Sequence, residues 1–278
     1  MEEEIFVLAA RSFIFSVRAA IIKFNMEQQN NIDQKISIKL PETQELVAAG
    51  VHLGHKTSRW HPKMEQYIFN SRNNVHVFDL EKTLQKIEEA LTFISQKISR
   101  GGVVILVGTK PTAKAKIKEA GQTLGMPYVS ERWLGGTLTN FKTISKRIQH
   151  LKDLEEQQKT GQWDKFTKKE KLQLQRKMEK MQGQLEGIRN MIKLPEVMLA
   201  VDVKMDNLAI REAKKMKIPV VAICDTDTDP SLVDYIIPAN DDASASLKIL
   251  IETIVNNLKD VKPAIKEVYE KNEENMSK

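Results

Sequence analysis

Cysteine is almost missing from these 278 residues; Cys224 stands alone. A disulfide framework and a Cys-only zinc site are excluded, and a reducing compartment suits the chain. Long hydrophobic runs are missing too. The most apolar stretch, residues 5–24, is broken by Arg11 and Arg18, whereas a membrane span needs about 20 apolar residues with few charges. That stretch follows Glu2-Glu3-Glu4, unlike the basic start of a secretory signal or the acid-poor start of a mitochondrial presequence. Two expectations stand for it: an amphipathic helix lying on a surface, or sequence upstream of a true start at Met26. Residues 27–40, rich in Gln and Asn, read as a flexible leader.

Nucleotide-binding loops are also lacking. Gly50 to Thr57 has three residues between its glycines and a helical pattern before it. A phosphate loop needs four, with Lys directly after the second glycine and a strand in front. Gly108-Thr109-Lys110 follows a strand pattern without the Gly-x-Gly-x-x-Gly series. No Ser/His/Asp or Cys/His arrangement stands out, and Cys224 ends a core-type strand.

What is present is charge, unevenly placed. The formal net charge is +6. Residues 142–193 hold 14 basic and 7 acidic side chains, while residues 194–278 hold 11 and 16. A basic centre and an acidic end imply more than one kind of partner.

Apolar patterning supplies the architecture. Residues 41–49 form a short helix ended by Gly50. Val75–Phe78 is a short strand, and apolar residues at 80, 84, 87, 91, 94 and 98 mark one helix face. Val103–Val107, Met126–Val129, Val197–Val201, Pro219–Ile223 and Tyr235–Ile237 read as strands. Helices over 112–124, 207–216 and 243–257 lie among them, the α/β pattern of a parallel sheet with helices on both faces. Between the second and third of these strands, apolar positions 141, 144, 148, 151 and 174, 178, 181, 185, 188, 192 trace a heptad seam. Thr167-Lys168-Lys169-Glu170 is a capping box and Pro195 a stop, so the spacing predicts an antiparallel coiled-coil hairpin over 141–194. Its second helix, 167–193, would be about 40 Å long. The sheet domain is then 41–140 with 195–258, and 259–278 is a charged tail.

Two groups of residues invite function. Four of the five histidines, at 52, 55, 61 and 76, lie among Lys56, Arg59, Trp60, Lys63, Tyr67 and Arg72. Cations meet phosphates and flat rings stack on bases, so this mixture suits RNA, although Trp60 by itself reads as core. The candidate RNA contacts are Lys56, Arg59, Lys63, Arg72, Lys110, Arg132, Lys142, Lys146 and Arg147. The linker from Arg132 to Phe141 is explained by structure alone: its glycines permit unusual backbone angles, and Thr139 or Asn140 can cap the next helix. The second group is acidic. Asp225, Asp227 and Asp229, then Asp241 and Asp242, follow short strands and so lie at the carboxyl edge of the sheet, where α/β folds place ligands. They either bind a metal together with a nearby His or lead into a helix start, which favours acids.

Taken together, these residues resemble one family, small ribosomal subunit protein two of bacterial type. The matching stretches are 49–57, Trp60–Met64, Arg72–His76, Leu80–Thr83, Val107–Lys110, Arg132–Gly136, Leu138–Asn140, 151–155, 166–170, Asp225–Pro230 and Ile237–Ala243. They run in order over roughly residues 42–258, and residues 1–40 depart from the family. The resemblance implies a flavodoxin-like parallel sheet with an inserted coiled-coil hairpin. It implies a non-enzymatic structural protein, cytoplasmic and ribosome-bound, holding small-subunit ribosomal RNA and neighbouring ribosomal proteins, ribosomal protein one among them. It also maps a zinc-type site onto His55, Asp225, Asp241 and Asp242. The alternative, from residue chemistry alone, is a metal- or nucleotide-dependent α/β enzyme.

Overall fold

The computed structural model describes residues 38–261. The expectations for the leader, 1–37, and for the tail beyond 261 lie outside the described residues. Helix α1 (Thr43–Ala48) opens with a Glu42/Glu45 capping box, and Gly50 takes φ 73° just after it. The strand pattern then splits into two sheets.

The larger sheet has five parallel strands: β4 (Val104–Val107), β5 (Tyr128–Val129), β6 (Val197–Ala200), β7 (Val220–Cys224) and β8 (Tyr235–Pro238). Their order is β5-β4-β6-β7-β8. Counted along the chain this is 2-1-3-4-5, the order of flavodoxin-like folds. The strands are continuous apolar runs because both faces are covered. Alternate residues enter opposite cores. Val104, Leu106, Leu199, Val221 and Ile223 join the layer of α2 (Leu80–Ser99), α3 (Lys114–Leu124) and α7 (Ser244–Leu258). Ile105, Val107, Met198, Ala200 and Ala222 join the layer of α6 (Asn207–Lys215) and of the inserted helices.

Those helices are α4 (Phe141–Lys159) and α5 (Lys168–Leu185). Ile144, Ile148, Leu151, Met178 and Leu185 are buried at expected seam positions, Leu154 is buried in addition to them, and Trp163 is buried in the turn. The Thr167/Glu170 capping box forms as the sequence predicts. Helix α5 stops at Leu185, short of 193, so it is about 27 Å long. The cause lies at Gly187, where a Cβ would stand 2.1 Å from the Tyr128 carbonyl oxygen. The chain turns there to pack on β5, through a 3-10 turn at Glu186–Ile188.

Of the second sheet the sequence reading finds one strand, Val75–Phe78, and misses the other two. This sheet is antiparallel, β1 (Leu53–Lys56), β3 (Val75–Phe78) and β2 (Ile68–Arg72), in the order β1-β3-β2.

Candidate nucleic-acid interface and the acidic centre beside it

The small sheet and the connection between β1 and β2 carry four of the nine expected RNA contacts, Lys56, Arg59, Lys63 and Arg72. Arg72 pairs with Val75, leaving a two-residue turn of Asn73 (φ 51°) and Asn74 (φ 60°). Two positive φ values in succession are what a tight hairpin requires, and Asn tolerates them. Val75 also pairs with Lys56, so Lys56, Val75 and Arg72 form one row across three strands, on one face. Lys56, Arg59 and Arg72 are exposed and make no ion pair among the described residues. Lys63 is exposed too, but it is held by Asp229 at 3.2 Å and Ser231 at 3.0 Å. Arg132, Lys142, Lys146 and Arg147 are exposed, with Lys142 and Lys146 on the face of α4 away from Ile144 and Ile148.

Backbone contacts fasten the small sheet to the large one. The amide of His55 donates to Thr226 Oγ1 at 2.9 Å and that of His61 to the Thr226 carbonyl at 2.8 Å. Gly54 permits this approach, since a Cβ there would lie 2.5 Å from Thr226 Cγ2. Trp60 is partly exposed and rests against the His76 ring, centroids 5.2 Å apart.

Lys110 behaves unlike the other cations. Its side chain is 14% exposed, and Nζ lies 2.6 Å from Asp242, 2.7 Å from Asp241 and 3.1 Å from Asp202. Burial disfavours its charge, but hydrogen bonds to Asp241 and Asp242 outweigh this and hold the ammonium well above the usual lysine range. It is an internal counter-ion to these three carboxylates. The carboxyl ends of β4, β6, β7 and β8 thus deliver Lys110, Asp202, Asp225 and Asp241 to neighbouring positions. Burial, reinforced by Asp202, pushes the Asp241 carboxyl up to about 7 despite Lys110.

His55 closes this centre from the small sheet. A bulge in β1 sets three steps, Leu53 to Lys56, against two on β3 and aims the ring at the acids. Nδ1 lies 3.0 Å from Asp225, while Nε2 lies 3.3 Å from Asp242 and 3.6 Å from Asp227. The hydrogen bond to Asp225 outweighs burial and pushes the imidazole up to about 9, so the ring is a cation at neutral pH.

The geometry bears on the expectation of one metal on His55, Asp225, Asp241 and Asp242 without presenting a shared set. The two ring nitrogens face different carboxylates, and the Lys110 ammonium fills the point where Asp202, Asp241 and Asp242 converge. Among the described residues no three or more His, Cys, Asp or Glu side chains are grouped to share an ion. As arranged, the set does not fit zinc; two protein cations meet the charge demand.

One organising residue escapes the sequence reading. Glu212 on α6, 7% exposed, accepts from the amides of Gly136 (2.7 Å), Leu138 (3.0 Å) and Thr139 (3.2 Å). It also accepts from Trp133 Nε1 and the Thr139 hydroxyl, each at 3.2 Å. Burial alone would raise its carboxyl, but these donors outweigh it and hold the group below the usual range. Thr139 is therefore committed to Glu212, and Asn140, which does precede α4, makes no side-chain bond to a helix amide. Cys224 is buried core, as expected.

With this geometry in hand, comparison with known proteins is direct. The sequence pattern of ribosomal protein S2 matches residues 46–260. Small ribosomal subunit protein uS2 of Acidothermus cellulolyticus is 49% identical over 213 residues, 76% of this chain and 78% of that protein. The matched range takes in both sheets, the inserted helices and the acidic centre, and the chain belongs to the ribosomal protein S2 family.

Proposed function

We propose that the chain is a structural constituent of the small ribosomal subunit, holding ribosomal RNA and neighbouring proteins without catalysing a reaction. The observation that carries the RNA reading is the row of Lys56 and Arg72 with Arg59 nearby in sequence, exposed and unpaired among the described residues. Side chains without internal partners are free to neutralise phosphates. Exposed Lys142, Lys146 and Arg147 at the root of α4 extend the basic surface, as does Arg132. Lys110 is left out of it, and Lys63 takes part only by giving up Asp229.

Residues 141–194 are read here as a projecting antiparallel coiled-coil hairpin. The buried seam, the capping box and the turn at Trp163 support that. Family membership supports further contacts with small-subunit proteins, and ribosomal protein one is the specific partner proposed. Exposed Met205 and Leu208, the latter beside Gly135, offer an apolar surface distinct from the cationic row. The proposed location is the cytoplasm, on the ribosome; among the described residues no helix is long and apolar enough to cross a membrane. The enzymatic alternative falls with the family assignment.

The test is incorporation into small subunits depleted of this protein. Lys56→Glu with Arg59→Glu and Arg72→Glu should abolish co-sedimentation at moderate salt and leave folding intact. The wild-type affinity should fall steeply with salt, with a log–log slope lessened by roughly 0.7–0.9 for each phosphate contact removed. Salt-independent incorporation, or full incorporation of the triple variant, would overturn the reading.

A further inference from the structure

Helix α7 has a side that the fold leaves open. It packs on the sheet through Leu247, Leu250, Ile251 and Ile254. On another side, a groove of about 830 Å³ runs between α7 and the segment that leads into and forms α1. Leu40, Ala49, Ala245 and Ile249 give this groove its apolar surface, and Leu40 and Ala245 are exposed.

The charges along the groove are mostly cations with nothing to hold. Glu45 is engaged in the α1 capping box, Glu252 lies 3.9 Å from Lys116, and Asp260 is the remaining acid. Lys39, Lys248 and Lys259 also line the groove, are exposed, and have no carboxylate partner among the described residues. Lys259 reaches the side-chain oxygen of Asn256, at 3.1 Å. Lys39 stands at the Lys259 end, because the Asn257 side chain bonds both its amide and its carbonyl, at 2.7 and 2.9 Å. Lys248 lies toward the other end.

The described residues end beside this groove. Lys259 and Asp260 line it, and Val261 closes the turn that follows α7. Residues 262–278 come next. From Ala245 to Lys259 the helix runs about 21 Å, and 17 residues at helical rise reach about 25 Å. Pro263 suits the first turn of a helix, and Ile265, Val268, Tyr269 and Met276 fall on one helical face. Residues 267–274 hold four Glu and one Lys. The apolar stretch 5–24 holds Arg11, Arg18 and Lys23 and no acid, so it would bring like charge to these lysines.

We propose that residues 262–278 fold back along α7 and occupy this groove, Val268 and Tyr269 toward Ile249 and Met276 toward Ala245. Glu267 and Glu270 then stand beside Lys39 and Lys259, and Glu273 and Glu274 beside Lys248. Charge complementarity fixes the direction, and the short covalent link makes modest contacts sufficient. The tail is a built-in cover that any protein docking on this face must displace. The RNA reading is not needed for this.

The experiment uses the full chain carrying Ala245→Cys and Met276→Cys; Cys224 is buried and does not compete. Mild oxidation should close a disulfide within single molecules, far faster than in a control pairing Ala245→Cys with Lys262→Cys. Adding Lys248→Glu should slow closure about two- to fivefold, as expected for one or two exposed ion pairs. Glu273→Lys with Glu274→Lys should restore it. With Ala245→Cys alone, a chain ending at Val261 should react with a soluble maleimide about tenfold faster than the full chain. Crosslinks between molecules would make a second copy the occupant. Equal maleimide rates in the free chains, with position 245 protected only on small subunits, would make a neighbouring protein the occupant. Either result overturns the proposal, as do equal rates with no protection, closure no faster than the control, or closure indifferent to both charge reversals. Circular dichroism establishes that each variant is folded. If the double-cysteine chain fails to fold, the maleimide comparison still decides.

Discussion

Glu212→Gln is the substitution that asks most of the structure. The carboxylate accepts five hydrogen bonds, two of them, from Leu138 N and Trp133 Nε1, in buried surroundings. The other three donors are partly buried and can turn to water. A buried donor left without an acceptor costs about 1–3 kcal/mol, so Glu212→Ala should cost about 3–5 kcal/mol. Gln keeps one acceptor oxygen but points an amide at the remaining donors, and should cost about half as much. The pH dependence has a definite sign. The carboxyl is held below its ordinary value when folded, so its contribution is present above the unfolded pKa near 4.5 and is lost as pH falls through the lower folded value. The gap between wild type and Glu212→Gln should therefore close in acid. Urea denaturation gives the stabilities, and amide exchange at Gly136, Leu138 and Thr139 reports whether the linker is what opens. Two results would refute the reasoning: both variants within about 0.5 kcal/mol of wild type, or unchanged protection at those amides.

Leu185→Ala should cost about 2–5 kcal/mol. Leu185 shares one core cluster with Met198 and Ala200 on the sheet, so hydrogen exchange should rise in α5 and in β6 alike; loss confined to the inserted helices would show an independent arm. His55 is held about 9 when folded, against about 6.5 unfolded, so its stabilisation is complete below pH 6.5 and is lost as pH rises through 9. Wild type should lose about 2–3 kcal/mol more than His55→Gln across that window, and parallel urea midpoints would refute the charged ring. Asn73→Val should cost about 1–2 kcal/mol through strain at positive φ, whereas Asn73→Gly should be tolerated. Thermal melts separate the two.

The parallel sheet was legible because its strands are buried on both faces, so Val104–Val107 and Val220–Cys224 read as unbroken apolar runs. Of the antiparallel sheet only the central strand, Val75–Phe78, was. Leu53-Gly54-His55-Lys56 and Ile68-Phe69-Asn70-Ser71-Arg72 are mostly exposed and bulged, so neither alternates cleanly. The one local sign was Asn73-Asn74, the turn from Arg72 into Val75–Phe78. The end of α5 was misplaced because the heptad spacing continues to 188 and 192, while the limit on the helix is set by contact between Gly187 and Tyr128, 59 positions apart in sequence. Lys110 looked like a phosphate contact because its own segment is neutral. The carboxylates that claim it come from 92 to 132 residues further on. Glu212 looked like any charge on a helix surface, since nothing near it in sequence marks the linker it holds.

The Glu212 clasp has a consequence for how the chain is made. The linker amides that lead into α4 emerge 73 residues before the carboxylate that fastens Thr139. At about 5–20 residues per second, synthesis takes about 4–15 s to cover that interval. During it, α4 and α5 can form, but their root has no acceptor, so the basic helices exist before anything fixes their direction. Every chain of this family member therefore passes through a stage, lasting seconds, in which a highly cationic segment hangs from an unfinished sheet beside the RNA of the ribosome that is translating it.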